Sequence, residues 1–266
     1  ADQKRTENSA LIHRLMDTLS VHSALPVLDA YSRQAFLDNM LRGGQPFLIP
    51  GPGRSKVFHY YSRKHGDMER DYNFYELAPT YFSQGNGNFR DINQNRRNDL
   101  WFNTDLMEGN IKTFYNLMQL DGHNPLVLKG AQFYVENTDK LKEKLQGAFS
   151  NPGFIDPLCA FAGKPFTPGS LLFELEKNNA ALKISKEDFL ALVFDESSKI
   201  EDSDFAEGYW SDHWIYNLDL VESFLSLFPE KETDLLFRDR SYTYYQNYAW
   251  INPRKKRYIL RNGKPF

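Results

Sequence analysis

ALIHRLMDTL (residues 10–19) and VLDAYSRQAFLDNMLRGG (residues 27–44) are the stretches whose reading decides the fold class. Leu11, Ile12, Leu15, Met16 and Leu19 recur at helical spacing, as do Leu28, Tyr31, Ala35, Phe36 and Met40. Apolar residues at that period line one face of an α-helix, and Gly43-Gly44 supplies a C-terminal stop. Two amphipathic helices with a short link make a hairpin, the repeating unit of an α-toroid.

Outward from this hairpin the pattern changes. Pro50-Gly51-Pro52-Gly53 breaks regular structure, Lys56 to Arg63 reads as a short strand, and a long aromatic loop follows. Gln84-Gly85-Asn86-Gly87-Asn88 is glycine-rich enough to bring backbone close to a ligand, without being a nucleotide-binding motif. Helices are expected over Asp91–Asn103, Asn110–Leu120, Asn137–Phe149, Ser170–Lys177 and Ser185–Phe194, the last with Ser185 as N-cap. Leu126 to Val135 reads equally as a strand or an apolar helix start. Asn151 to Gly169 reads as a connection and Asp195 to Asp204 as an exposed acidic loop. A strong helix is expected from Asp212 to Phe228, with Ile215, Leu218, Val221, Leu225 and Phe228 on its stripe and Pro229 ending it. The tail from Tyr242 to Leu260 is β-like or irregular. No repeat and no domain boundary is legible, so residues 1–266 read as one unit.

Composition removes several classes. Among 266 residues, 32 are basic and 35 acidic, giving a charge of −3 without the broad cationic face of a nucleic-acid binder. Apolar residues at 41% exclude a disordered chain. No run of about 18 apolar residues exists to span a membrane. The amino-terminal residues have no apolar signal core. Cys159 is the sole cysteine, which forbids an internal disulfide and suits a reducing, cytoplasmic compartment; no Cys/His spacing resembles a metal site. Aromatic residues reach 15%, with 21 Phe, 15 Tyr and 4 Trp. Many stand beside Asn, Asp, Arg or Gln, a mixture that suits sugar rings with their C–H faces and hydroxyl rims. It equally suits an aromatic core with locally bonded Tyr hydroxyls.

Three clusters carry candidate chemistry. In the first, Arg90, Asp91, Gln94, Asn95 and Arg96 offer planar, bidentate groups that match vicinal sugar hydroxyls; the same residues also read as a polar helix N-terminus. The second runs from Glu207 to Asn217, where Trp210 and Trp214 flank Asp212; indoles beside a carboxyl disfavour its charged form, as a general acid requires. An N-cap aspartate is the other reading. The third, Arg63 to Tyr72, reads as a salt-bridge loop or a pocket rim.

Arg90-Asp91-Ile92-Asn93-Gln94-Asn95 resembles the R-D-x-x-Q-D motif of inverting glycoside phosphorylases of the cellobiose-phosphorylase type. Trp210-Ser211-Asp212, about 120 residues later, resembles their W-N-D motif, and the order of the two agrees. The resemblance extends over roughly Phe58 to Leu220 and points to the group that includes β-1,2-oligoglucan phosphorylases. Asn95 stands where the family has Asp, and Ser211 where it has Asn.

The resemblance implies a mainly α fold, part or most of an (α/α)6 toroid with long aromatic-rich loops and a few short strands. It implies inverting phosphorolysis of β-glucosidic bonds in gluco-oligosaccharides. Asp212 would be the general acid and inorganic phosphate the co-substrate, with no metal and no organic cofactor. Arg90 and Asp91 would hold the sugar, with Gln94, Asn95, Arg96, Trp210 and Trp214 as further substrate contacts. The expected partners are a β-linked oligosaccharide and phosphate, with a homodimer formed through a larger parent protein and neither nucleic acid nor membrane. The chain is short for six hairpins, and the family's phosphate ligands follow the acid, so a segment of a longer polypeptide is expected. Two rivals stand beside this reading: an inverting hydrolase with Glu69, Asp71 or another carboxylate as base, and a non-catalytic carbohydrate-binding domain.

Overall fold

Helix α1 (Asp2–Met16) and helix α2 (Pro26–Gly43) form the expected hairpin. Pro26 occupies the first turn, where its missing N–H has no intrahelical partner to lose. Burial starts later than the apolar stripe suggests. α1 buries nothing, Leu28 and Tyr31 stay exposed, and α2 buries Phe36, Leu37, Met40 and Gly43. The structure, a computed structural model, describes residues 1–49, 56–60, 80–85, 87–204, 210–256 and 260–265. The Arg63–Tyr72 cluster, Pro50 to Gly53, Asn86, and Glu207 to Tyr209 lie outside them.

Strand β1 (Gln45–Ile49) pairs antiparallel with β2 (Lys56–Tyr60). A second sheet has the order β3 (Gly87–Asn88), β4 (Val127–Val135), β5 (Ser197–Asp204), all antiparallel. Leu126 to Val135 thus resolves as a strand, the central one. Gln84 extends its ladder at a bulge: the side-chain amide donates to Ala131 O (2.7 Å) and accepts from Ala131 N (3.0 Å). Gly130, at φ 119°, leaves room for that side chain, which a Cβ would meet at 3.0 Å.

Two expectations are corrected here. Residues 195–204 are not an exposed loop but contain β5, which pairs with the apolar β4. The acidic composition conceals a period of two. Ser197 and Ser203 are buried, the Lys199–Glu201 ion pair lies on the same face, and Ser198, Ile200, Asp202 and Asp204 point outward. Residues 151–169 are not merely a connection, because they contain helix α7. Its stripe of Ile155, Leu158, Cys159 and Ala162 is buried, and Pro157 falls in its first turn, where proline is tolerated.

The remaining elements in chain order are α3 (Phe89–Arg96), α4 (Asp99–Phe102), α5 (Gly109–Tyr115), α6 (Thr138–Lys144), α7 (Ile155–Ala162), α8 (Pro168–Lys177), α9 (Lys186–Asp195) and α10 (His213–Leu227). The chain is mainly helical with few short strands. Ser185 caps α9 as expected, accepting from Asp188 N, while Thr167 and Ser170 form a reciprocal capping box on α8. Two apolar cores result. Phe133, against Phe58, Phe166 and Phe194, centres the one built with α6 to α9. Phe89 and Phe114 centre the other, with α3, α5 and α10.

The helix expected over Asp91–Asn103 breaks before Asp99, which turns inward. Its Oδ2 lies 3.1 Å from His59 Nε2 and accepts from Asn110 Nδ2 (3.0 Å). Burial pushes the Asp99 carboxyl up to about 7, against Asn110 and Arg96, which pull it down. Burial, with Arg96 and Lys199, holds His59 well below its ordinary value. Between pH 4 and 7 the folded state therefore keeps a proton on Asp99 that the unfolded chain has lost, and this carboxyl's contribution to stability falls as pH rises. His59 acts oppositely: the unfolded chain holds its proton, so stability rises as pH climbs toward 6.5. Asp99→Asn removes the first effect alone. Urea unfolding across this range is expected to give a steeper rise of stability with pH than in the unaltered chain, and superposable pH profiles would refute the assignment.

Candidate functional site

The inner face of α10 follows its aliphatic pattern only in the later turns, where Val221 is buried and Leu225 and Phe228 pack against the second core. Ile215 and Leu218 are exposed, and the buried residues are His213, Asn217, Leu220, Val221 and Phe224. Two polar side chains head that face because each has a partner on α3. The His213 imidazole stacks on the Phe89 ring, centroids 4.6 Å apart and planes inclined 21°. One turn on, Asn93 Nδ2 donates to Asn217 Oδ1 at 2.7 Å, and Arg97 Nη1 donates to Asp219 Oδ2 at 2.9 Å. α3 and α10 therefore run side by side in the same direction, with their amino termini together.

This register brings the two motifs to one place. Arg90 and Asp91 follow Phe89; Asp212 precedes His213. Asn88 caps α3, accepting from Arg90 N, and Arg90 Nε donates to Asp91 Oδ1 (3.3 Å). Asp212 stands before α10, but its carboxyl makes no capping hydrogen bond. Instead Tyr216, four residues on and hence on the same helix face, donates its hydroxyl to Asp212 Oδ2 (3.2 Å).

The charges act on one another. Burial lowers the Arg90 guanidinium, but Asp91, Tyr216 and Asp212 outweigh it and raise its pKa. Burial, then Asp212, raise the Tyr216 phenol. Burial depresses His213 to about 4, so it is neutral at pH 7 and adds no charge beside Asp212. The two helix amino termini add positive potential at the same end. A half-buried carboxyl, a guanidinium–carboxylate pair and a phenol thus share one polar neighbourhood. Tyr216 falls within the second sequence cluster but has no role assigned there, although its spacing of four from Asp212 is a legible signal.

The other expected contacts are distributed differently. Gln94 is half-buried on α3. Asn95 turns back onto its own helix, donating to Asp91 O (2.5 Å). Arg96 projects elsewhere: its Nε donates to Gly43 O (2.8 Å), its guanidinium lies over the Phe114 ring, and burial lowers it to about 10. Trp210 is exposed. Trp214 donates its indole N–H to Gly122 O (2.8 Å); two residues from Asp212, it does not share the carboxyl's helix face. Tyr216 acts on that carboxyl through a hydrogen bond and Arg90 through its charge. A cavity of about 590 Å³, lined by Lys56, Lys112, Glu201 and Phe224 among others, opens toward the far end of α10. Phe224 is roughly 18 Å along the axis from Asp212. Among the described residues, no group of three or more His, Cys, Asp or Glu is placed to hold a metal ion, and no helix is long and apolar enough to cross a membrane.

The Asn93–Asn217 contact fixes the helix register. Asn217 also donates to Asn124 Oδ1 at 3.4 Å, and all three residues are almost fully buried. Asn217→Ala leaves both partners unmatched inside the protein and is expected to cost about 2 kcal/mol of stability. Because the residues are coupled, adding Asn93→Ala should cost less than its separate value. Urea denaturation of the single and double variants measures this, and strict additivity would contradict it.

The chain matches no protein-family model, no curated protein and no solved structure.

Proposed function

We propose that this chain carries the sugar-binding and acid-bearing part of a catalytic domain that phosphorolyses β-glucosidic bonds in gluco-oligosaccharides with inversion. The observation that carries the reading is the parallel pairing of α3 and α10. It sets Arg90, Asp91 and Asp212 at one end, with a carboxyl engaged in no helix cap. Arg90 and Asp91 would grip hydroxyls of the sugar ring being cleaved. Asp212 gives its proton to the departing glycosidic oxygen as that oxygen's bond to the anomeric carbon breaks. A phosphate oxygen forms the new bond from the opposite face, yielding α-glucose 1-phosphate and a shortened sugar. The proton that hydrogen phosphate loses on esterification restores the acid. An inverting hydrolase would need a second carboxylate to activate water; phosphate arrives as an anion already.

On this reading the α1–α2 hairpin and the α3–α10 pair are pieces of a helical toroid whose mouth holds the sugar, in a cytoplasmic protein that assembles as a dimer. The test is sugar 1-phosphate release from β-1,2-, β-1,3- and β-1,4-linked gluco-oligosaccharides, with and without inorganic phosphate. Phosphate-dependent release supports phosphorolysis. Cleavage to free sugars at equal rates without phosphate would overturn it in favour of a hydrolase, and binding without cleavage in favour of a non-catalytic domain.

A further inference from the structure

The cavity of about 590 Å³ at the far end of α10 has no part in the function proposed above, and its size is that of a small-molecule site. Its wall is set by the backbone. Met107, which follows the turn Thr104–Leu106, holds φ 46°, a left-handed value that favours glycine. Two residues on, a Cβ on Gly109 would stand 2.4 Å from the Val57 side chain, so the start of α5 lies directly against β2. Leu106, Phe224 and Leu235 are buried and supply an apolar lining.

Among the described residues that line it, five carry carboxylates and four carry ammonium groups. The Lys56 ammonium is engaged elsewhere, donating to Phe194 O and Ser197 O beside Asp195 and Glu196. Lys112 serves two carboxylates at once, Asp239 at 3.1 Å and Glu108 at 3.7 Å. Glu201 pairs with Lys199 and accepts from Thr113 Oγ1 (3.1 Å), and both contacts fall on its Oε1. Its Oε2 has no partner among the described residues, although the side chain retains only 15% of its accessible surface. At the mouth the exposed Asp105 carboxyl also has no partner among them, and Asp234 holds only Arg238, one turn along its own segment (3.1 Å). Lys231 is the opposing charge at that mouth. Negative charge is thus in surplus both at depth and at the entrance, with hydrocarbon on the walls.

We propose that this cavity binds a linear aliphatic diamine or polyamine, with one cationic nitrogen on Glu201 Oε2 and another at Asp105. A sheltered carboxylate with a spare oxygen forms a charge-assisted hydrogen bond to an ammonium group. Lys199 and Thr113 already hold the Glu201 side chain, so presenting that oxygen costs little further ordering. The walls of Leu106, Phe224 and Leu235 match a methylene chain, which a bare metal ion lacks. An anionic ligand would meet like charge at both ends. The site is independent of the sugar reading, because Phe224 stands roughly 18 Å along α10 from Asp212; either can fail without the other.

Calorimetric titration of the full chain with putrescine and spermidine tests the proposal, with hexylamine and hexanoate as one-ended ligands of opposite charge. Spermidine is expected to bind at a single site, more tightly than hexylamine, and hexanoate not at all. Glu201→Gln keeps an acceptor for Thr113 and should weaken spermidine by about tenfold or more. Asp105→Asn, at an exposed and screened position, should weaken it less. Glu222→Gln, an exposed carboxylate of α10 outside the lining, should leave binding unchanged. Asp105→Lys, also at the surface, decides the matter if Glu201→Gln fails to fold: it should remove the advantage of spermidine over hexylamine. Equal binding of those two amines by the unaltered chain would overturn the two-ended site, as would spermidine binding that Asp105→Lys leaves intact. Equal losses in Glu222→Gln and the cavity variants would reduce the effect to general attraction by an acidic surface and overturn the proposal. Binding of hexanoate, or of no amine, would overturn it outright.

Discussion

Replacing Asp212 with Asn is expected to lower turnover of natural β-linked substrates by about 10² to 10⁴, the range of a positioned general acid. The substitution keeps shape and a hydrogen-bond acceptor, so the Tyr216 hydroxyl at 3.2 Å retains its partner. What disappears is the proton for the leaving oxygen. Stability should be unchanged, because the Asp212 carboxyl caps no N–H of α10 and the usual cost of removing a capping side chain does not arise. Leaving groups separate this from a structural effect. A phenol of low pKa departs without protonation, so an activated aryl β-glucoside should lose far less rate than an unactivated disaccharide. Equal losses on both substrates, or turnover like that of the unaltered chain, would remove Asp212 from the role of acid. Tyr216→Phe deletes the bond to Asp212 without touching the carboxyl, and should give a smaller loss together with a displaced pH–rate profile.

The parts of this molecule legible from sequence are those in which apolar residues alone set the pattern. The hairpin of α1 and α2 belongs here, and the Ser185 cap is legible too, from a polar residue whose side chain closes a helix start. The misreadings arise where polar residues do structural work. β5 looks like an acidic loop because its buried positions are serines and its ion pair joins neighbouring positions on one face. In α10 only the first turns depart from the aliphatic stripe, because His213 and Asn217 outrank Ile215 and Leu218 for burial once Phe89 and Asn93 wait opposite. Only tertiary pairing selects that face, and periodicity in one helix cannot register it. Within the candidate site, the motif order anticipates that Arg90 and Asp212 share a neighbourhood. It does not anticipate that Arg96, six positions along α3, turns instead to Gly43 and Phe114.

Phe89 is where fold and site meet, and Phe89→Ala is expected to cost about 3 to 5 kcal/mol, the range for truncating a fully buried phenylalanine. Its ring is completely enclosed, lies edge-on to Phe114 at 5.0 Å and stacks on His213 at 4.6 Å. Truncation opens a cavity in the second core and takes from His213, a neutral imidazole, the ring on which it stacks. Thermal or urea unfolding reads the first consequence. The second is separable from instability through Phe89→Leu, which fills most of the volume but cannot stack. That variant should remain folded with a far smaller stability loss, yet bind gluco-oligosaccharides more weakly, because the first turns of α3 and α10 no longer meet ring to ring. Its binding should recover in Phe89→Tyr only if the added hydroxyl is accommodated, so Leu is the decisive variant. Sugar binding by Phe89→Leu equal to that of the unaltered chain would mean that Asn93 and Asn217 alone set the register, and that the ring stack serves the core but not the site.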